Sequence, residues 1–227
     1  NTITGNGDSG IWLDASDCCT VEFNVASGNF DGIYLESSEN NVLQRNDLNG
    51  NNYGIYLYDS SYNSILFNEC NDSVIDGIYL EYSNDNLIAN NNCSGNNAGR
   101  GIFLFCSSLN TLQNNTCSGN SEGISLYSRT DAFSTENVIH NNTCNGNTND
   151  GINVQASCSY TTVTNNTCND NKYGVHISGS IQCEVANNTC LRNLIGIVLM
   201  TESDWNAVEN NICSHNAQAG IYLSYSD

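Results

Sequence analysis

Apolar residues recur along the chain in short alternating runs, and the runs themselves repeat. Gly followed by Ile or Val occurs at Gly10, Gly32, Gly54, Gly77, Gly101, Gly123, Gly151, Gly174, Gly196 and Gly220. Successive anchors are 22 residues apart at the closest (Gly10 to Gly32) and 28 at the widest (Gly123 to Gly151). The unit reads G-I-x-L, a small polar turn, N-x-I-x-x-N-x-C-x-x-N, and a short return to the next Gly. The third unit shows it plainly, with Gly54-Ile55-Tyr56-Leu57, Asn63-Ser64-Ile65 and Asn68-Glu69-Cys70. Each piece alternates apolar and polar residues over a few positions, the period of a β-strand, and no piece has an apolar face at helical spacing. Ser, Asn, Asp and Gly between the pieces favour turns and left-handed backbone. One such turn cannot bury its apolar face alone and must stack on its neighbours. The pattern therefore predicts an all-β, single-domain parallel β-helix solenoid of about ten coils over residues 1–227, a rod of about 50 Å at ~4.8 Å per coil. No capping helix is evident at either end, so the expectation is a rod with open edges.

Three ladders follow from aligning the units. Two positions before the Cys slot stand Asn1, Asn24, Asn46, Asn68, Asn91, Asn115, Asn142, Asn166, Asn188 and Asn211. Three after it stand Asn6, Asn29, Asn51, Asn96, Asn120, Asn147, Asn171, Asn193 and Asn216, interrupted by Ser73. A side-chain amide has donors and acceptors, so stacked asparagines can bond each other and the backbone of turns that water cannot reach. The Cys slot holds Cys70, Cys93, Cys117, Cys144, Cys168, Cys190 and Cys213, preceded by Ile3, Ala26 and Leu48. Those aliphatic alternatives mark an inward position, where free Cys behaves as a small hydrophobe. Neighbouring Cα atoms would also lie within disulfide range, which leaves pairing open. Cys18, Cys19, Cys106, Cys158 and Cys183 fall off the ladder. Cys18, Cys19 and Cys106 are candidates for disulfides between copies.

Composition narrows the partners. Five Lys and Arg stand against 24 Asp and Glu, a net charge of −19. Nucleic acid is excluded for want of a basic footprint, and anionic membranes and polyuronate sugars are disfavoured for the same reason. No apolar run reaches the length of a membrane span. Twelve cysteines in an acidic chain favour an oxidising, extracellular or cell-surface setting. Sequons at Asn71, Asn92, Asn114, Asn141, Asn165 and Asn187 agree with a surface location but arise easily in Asn-rich repeats.

Candidate chemistry is sparse. In the G-I-x-L strand the residue between Ile and Leu points outward, and Trp12, Tyr34, Tyr56, Tyr79 and Phe103 form a flat aromatic stripe there. Such a stripe serves stacking within the sheet, contact with another rod, or the binding of sugar rings. In the next outward column Asp14 and Glu36 lie one coil apart, near the separation of a retaining glycosidase pair. Asp31, Asp76 and Asp150, each just before a repeat Gly, are weak candidates for Ca²⁺ held between copies. No cofactor is otherwise implied. His140, His176 and His215 fall in different columns or non-adjacent coils, and no Ser-His-Asp arrangement or phosphate loop is visible.

The unit G-I-x-L…N-x-I-x-x-N-x-C resembles the parallel β-helix repeats of NosD-like and other archaeal or bacterial surface proteins. With its cysteines and acidity the chain looks most like the structural sheath proteins of filamentous methanogenic archaea, which implies a disulfide-reinforced, self-assembling envelope component. The sequence thus predicts a structural extracellular protein whose partners are identical copies, with glycans as possible partners, and not an enzyme. The alternative is a carbohydrate-binding or carbohydrate-active module of glycoside hydrolase or lyase type, using the aromatic stripe with Asp14 and Glu36.

Overall fold

The computed structural model describes residues 1–96 and 98–226; Asp227, the last residue of the expected unit, lies outside them. It is a parallel β-solenoid of ten coils, with no helix among the described residues. The first sheet has ten strands, from Ile11–Asp14 through Asp31–Glu36, Tyr53–Tyr58, Asp76–Glu81, Arg100–Phe105, Glu122–Tyr127, Asp150–Gln155 and Tyr173–Ser178 to Ile195–Met200 and Ala219–Ser224. The second has nine three-residue strands, from Thr20–Glu22 to Ala207–Glu209. A third face begins where Thr2–Thr4 pairs with Val25–Ser27 and continues as one parallel bridge per coil up to Thr189 and Ile212.

The interior is the set of residues that the alternation turned inward. Ile33, Leu35, Ile55, Leu57, Ile78 and Leu80 of the first sheet meet Leu43, Ile65 and Ile88 of the second, all fully buried. Cys70 to Cys190 fill the third side and are fully buried as well. All twelve cysteines are free thiols, so no disulfide closes within the chain and the Cys ladder is not cross-linked.

The repeat Gly is required by close approach. A Cβ on Gly101 would lie 2.6 Å from the Gly123 carbonyl oxygen and 2.7 Å from Cys117 Cβ. The chain bends inward at this residue, and it is skipped in the strand register between coils. The residue before Gly therefore shares the outer face with the third residue after it, giving the first sheet three outward columns.

Amide ladders close the corners. Asn115 illustrates the first: its Nδ2 donates to the Ile88 carbonyl at 2.9 Å and to Asn142 Oδ1 at 3.0 Å. Its Oδ1 accepts the Asn91 backbone N–H at 2.9 Å. The second ladder breaks at Ser73, where Ser73 Oγ and Asn96 Nδ2 are buried with no hydrogen-bond partner among the described residues. A further ladder escaped the sequence reading: Asn41, Asn63, Asn86, Asn110 and Asn137 chain through backbone N–H to Oδ1 bonds of 2.8–2.9 Å. Its signal was the first Asn of N-x-I in the repeat. Between the second and third faces, Phe23, Arg45, Phe67, Asn90, Asn114, Asn141, Asn165, Asn187 and Asn210 are all left-handed, with φ between 54° and 58°. Asn tolerates that backbone better than most residues, and stacked bonds such as Asn114 N–H to the His140 carbonyl at 3.2 Å hold it.

Candidate functional site

The outer face of the first sheet carries the densest chemistry. Trp12, Tyr34, Tyr56, Tyr79 and Phe103 are register neighbours in consecutive strands. They do not form the flat stripe expected from alternation. Tyr56 and Tyr79 stack at 4.8 Å and 18°, and Tyr79 and Phe103 at 5.2 Å and 9°. Near-parallel rings at that spacing face each other across the coils and turn their edges to solvent. Arg100 closes the Phe103 end with its guanidinium carbon 3.6 Å from the ring centroid, and Phe103 is only 9% exposed. Trp12 is 55% exposed, whereas Tyr34, Tyr56 and Tyr79 are half-buried. The stack is thus chiefly a strut, and the expected platform for sugar rings is confined to its Trp12 end.

Carboxylates line the stack. Asp14 and Glu36 are register partners as expected, the first exposed and the second half-buried. Glu81, further along the same column, accepts the Tyr56 hydroxyl at 2.5 Å. Burial, reinforced by Glu81, raises the Tyr56 and Tyr79 phenols. Tyr34, with burial first and Glu36 second, is pushed up to about 12. These phenols remain hydrogen-bond donors at any physiological pH.

Beyond Phe103 the face turns polar, and three pairs bridge consecutive coils. Arg100 Nε lies 3.0 Å from Asp76 Oδ1, Asn153 Nδ2 donates to Glu122 Oε1 at 3.1 Å, and His176 Nδ1 lies 3.0 Å from Asp150 Oδ2. Tyr173 meets the His176 ring edge-on at 5.3 Å. Asn153 and His176 are register partners, 4% and 8% exposed. Asn153 Oδ1 and His176 Nε2 are both buried without a partner among the described residues. A shallow depression of about 260 Å³ lies alongside, lined by Ala98, Gly99, Arg100, Ser121 and Glu122. A carboxylate on Nδ1 fixes the imidazole tautomer and leaves Nε2 to take or give a proton.

Asp31, Asp76 and Asp150 lie in coils two, four and seven, bound to Ser9, Arg100 and His176 respectively. Within the chain they stand apart, and no cluster of three metal-ligating side chains occurs among the described residues. The histidines looked scattered, yet His176 belongs to a site with Asp150, 26 residues away. The inward bend at Gly151 is what brings them to one face, and strict alternation hides it. Cys106 is 4% exposed and thus not placed to bridge copies, whereas Cys18 is exposed and Cys19 half-buried.

The five cations of the chain are already engaged. Arg100 and Arg192 pair with Asp76 and Asp170, and Arg129 lies 3.5 Å from Asp131. Arg45 lies between the Phe23 and Phe67 rings, and Lys172 lies over Tyr173.

A right-handed coil of parallel strands with this outer face defines the class, and the chain belongs to the right-handed β-helix region family, whose model matches residues 1–139 and 132–227. Among solved structures it is similar to the A-module of a mannuronan C-5 epimerase from Azotobacter vinelandii, at 13% identity and a TM-score of 0.73, covering 99% of this chain and 80% of that one. An alginate lyase from Paenibacillus sp. gives 14% identity and a TM-score of 0.63 over 92% of this chain and 99% of that one. The Dettilon tailspike protein gives 17% and 0.70 over 98% and 59%. No curated protein matches the chain. At these identities the likeness carries the fold. The expectation that the chain is not an enzyme is overturned, because the epimerase and the lyase are enzymes on this architecture. The resemblance to NosD-like or methanogen sheath proteins gains no support, and neither does assembly into a sheath.

Proposed function

We propose that the chain is an extracellular carbohydrate-active β-helix module that takes a neutral glycan along the outer face of its ten-stranded sheet. The observation that carries this reading is the row of cross-coil pairs, each with at least one buried member, Asp76–Arg100, Glu122–Asn153 and Asp150–His176, on an outward face. Burying charged and amide groups on a surface costs stability, and leaving two of their atoms unpaired costs more. Such groups are held for a ligand that completes their bonds. Sugar hydroxyls donate, which matches two neighbouring unpaired acceptors, Asn153 Oδ1 and His176 Nε2. His176, oriented by Asp150, is the proton-transfer group in this reading; Glu122 and Asn153 hold hydroxyls; Trp12 offers a terminal stacking surface.

The neighbours are a mannuronan C-5 epimerase and an alginate lyase, enzymes of charged polyuronates. A polyuronate would need free cations, and here three of the five are paired with carboxylates, the other two lie over aromatic rings, and the net charge is −19. That contrast favours a neutral chain. Calorimetric titration with oligosaccharides of glucan, mannan, xylan and polymannuronate, with product analysis by mass spectrometry, tests the reading. It predicts binding of a neutral member and at least tenfold weaker binding by folded Glu122→Gln and His176→Gln. Binding by neither class, or unchanged binding by both variants, would remove it.

A further inference from the structure

The geometry points to a second functional surface: a column of asparagine-linked glycan acceptors at Asn114, Asn141, Asn165 and Asn187, on the edge opposite the ten-stranded sheet. Each begins an Asn-Asn-Thr triplet, and each is exposed and left-handed, with φ of 56°, 56°, 57° and 58°. Left-handed backbone accounts for Asn at this corner. It does not account for Thr two residues on, where Thr116, Thr143, Thr167 and Thr189 stand in one bridged column that elsewhere holds Val25, Asp47, Glu69, Asn92 and Ile212.

The structure divides the six sequons in a way the sequence does not. Glycan transfer forms a C–N bond to the side-chain amide nitrogen and expels the lipid pyrophosphate of a glycosyl donor, the amide losing one proton. The amide must therefore project free of the fold. Asn71 and Asn92 are half-buried and tied down: their Nδ2 atoms donate to Glu69 Oε2 at 2.9 and 2.8 Å. Their Oδ1 atoms accept from Ser94, from its backbone N–H at 2.9 Å and its hydroxyl at 2.8 Å. Asn114, Asn141 and Asn187 have no side-chain hydrogen bond among the described residues. Asn165 has only an exposed 3.3 Å contact with His140 Nδ1.

The spacing adds a rule of occupancy. Acceptors in adjacent coils are about 4.8 Å apart along the axis, and a hexose ring with its exocyclic groups is wider than that. Neighbouring acceptors exclude each other, so four in line hold at most two glycans, on non-adjacent coils. The edge lies between the second and third faces, so glycans here leave the outer face of the first sheet open. This inference stands independently of the glycan reading of that face.

The test is glycopeptide mapping and intact mass of the folded fraction secreted by an N-glycosylating host, with an appended Asn-Gly-Thr tail as internal control. The expected result is glycan on the column, bare Asn71 and Asn92, and no molecule with more than two column glycans. A chain carrying N141Q and N187Q should then fill both Asn114 and Asn165. A bare column beside a modified tail, equal modification of Asn71 or Asn92, or three column glycans on one folded chain would each overturn the inference.

Discussion

Truncating one rung of the buried amide ladder tests the physical basis of the fold. Asn115 is fully buried and serves four hydrogen bonds. In Asn115→Ala, Asn91 Nδ2 keeps the Ile65 carbonyl at 2.9 Å, and Asn142 Oδ1 keeps the Asn115 backbone N–H at 2.9 Å. The Asn91 backbone N–H loses its partner, and the Ile88 carbonyl, which lies within the parallel ladder to Thr111–Gln113, loses its side-chain donor. One buried orphan costs roughly 1–3 kcal/mol, so the variant should lose about 1–3 kcal/mol, a sizeable share of a domain's ~5–15 kcal/mol. Urea unfolding followed by circular dichroism reads the change, with the slope checked because repeat arrays can lose two-state behaviour. Asn115→Asp separates donor from acceptor: it still accepts from Asn91 but cannot donate to Ile88 and opposes Asn142 Oδ1. It should be destabilised at neutral pH and partly recover as the carboxyl is protonated. A loss below 1 kcal/mol for Asn115→Ala would refute the claim that the ladder satisfies otherwise orphaned backbone.

Three further outcomes follow from particular residues. Ser73→Asn should restore the broken ladder and raise stability by about 1 kcal/mol, read in the same urea experiment; a loss of stability would show that the gap is already closed around Ser73. Asp31 is held up to about 6 by burial, with Ser9 opposing. The folded state therefore binds its proton more tightly than the unfolded state, whose value is near 3.8, and the stability contributed by the protonated form is lost as pH rises through that window. Asp31→Asn should accordingly raise the melting temperature at pH 7.5 more than at pH 4, and a pH-independent difference would contradict this. A thiol-reactive dye should find Cys18 rapidly, Cys19 and Cys213 slowly, and all twelve cysteines only after unfolding; fewer than twelve in the unfolded chain would reveal disulfides.

Much of the fold was legible because its determinants are local and periodic. The repeat Gly, the inward Ile and Leu, the two aligned asparagine slots and the aliphatic alternatives at the Cys slot each follow from alternation within one coil. The site was less legible. Alternation states that Tyr56, Tyr79 and Phe103 point outward, but ring orientation is set by packing between coils, so edge could not be told from face. Asp150 and His176 are joined by the bend at Gly151, which breaks the alternation by one residue and restores Asp150 to the outer face. The Asp14–Glu36 neighbour relation was read correctly from the repeat, yet its carboxylates stand at the exposed end, away from the cross-coil pairs.

The most direct test of the account is hydroxyl-radical footprinting of the chain with and without whichever glucan, mannan or xylan hexasaccharide binds in the calorimeter. The account predicts protection of Tyr127 and Tyr173 on the outer face of the first sheet, while Phe23, Phe67 and the 72%-exposed Trp205 on other sides stay as reactive as before. Protection of Phe23, Phe67 or Trp205, with Tyr127 and Tyr173 unchanged, would place the glycan on another face and contradict it.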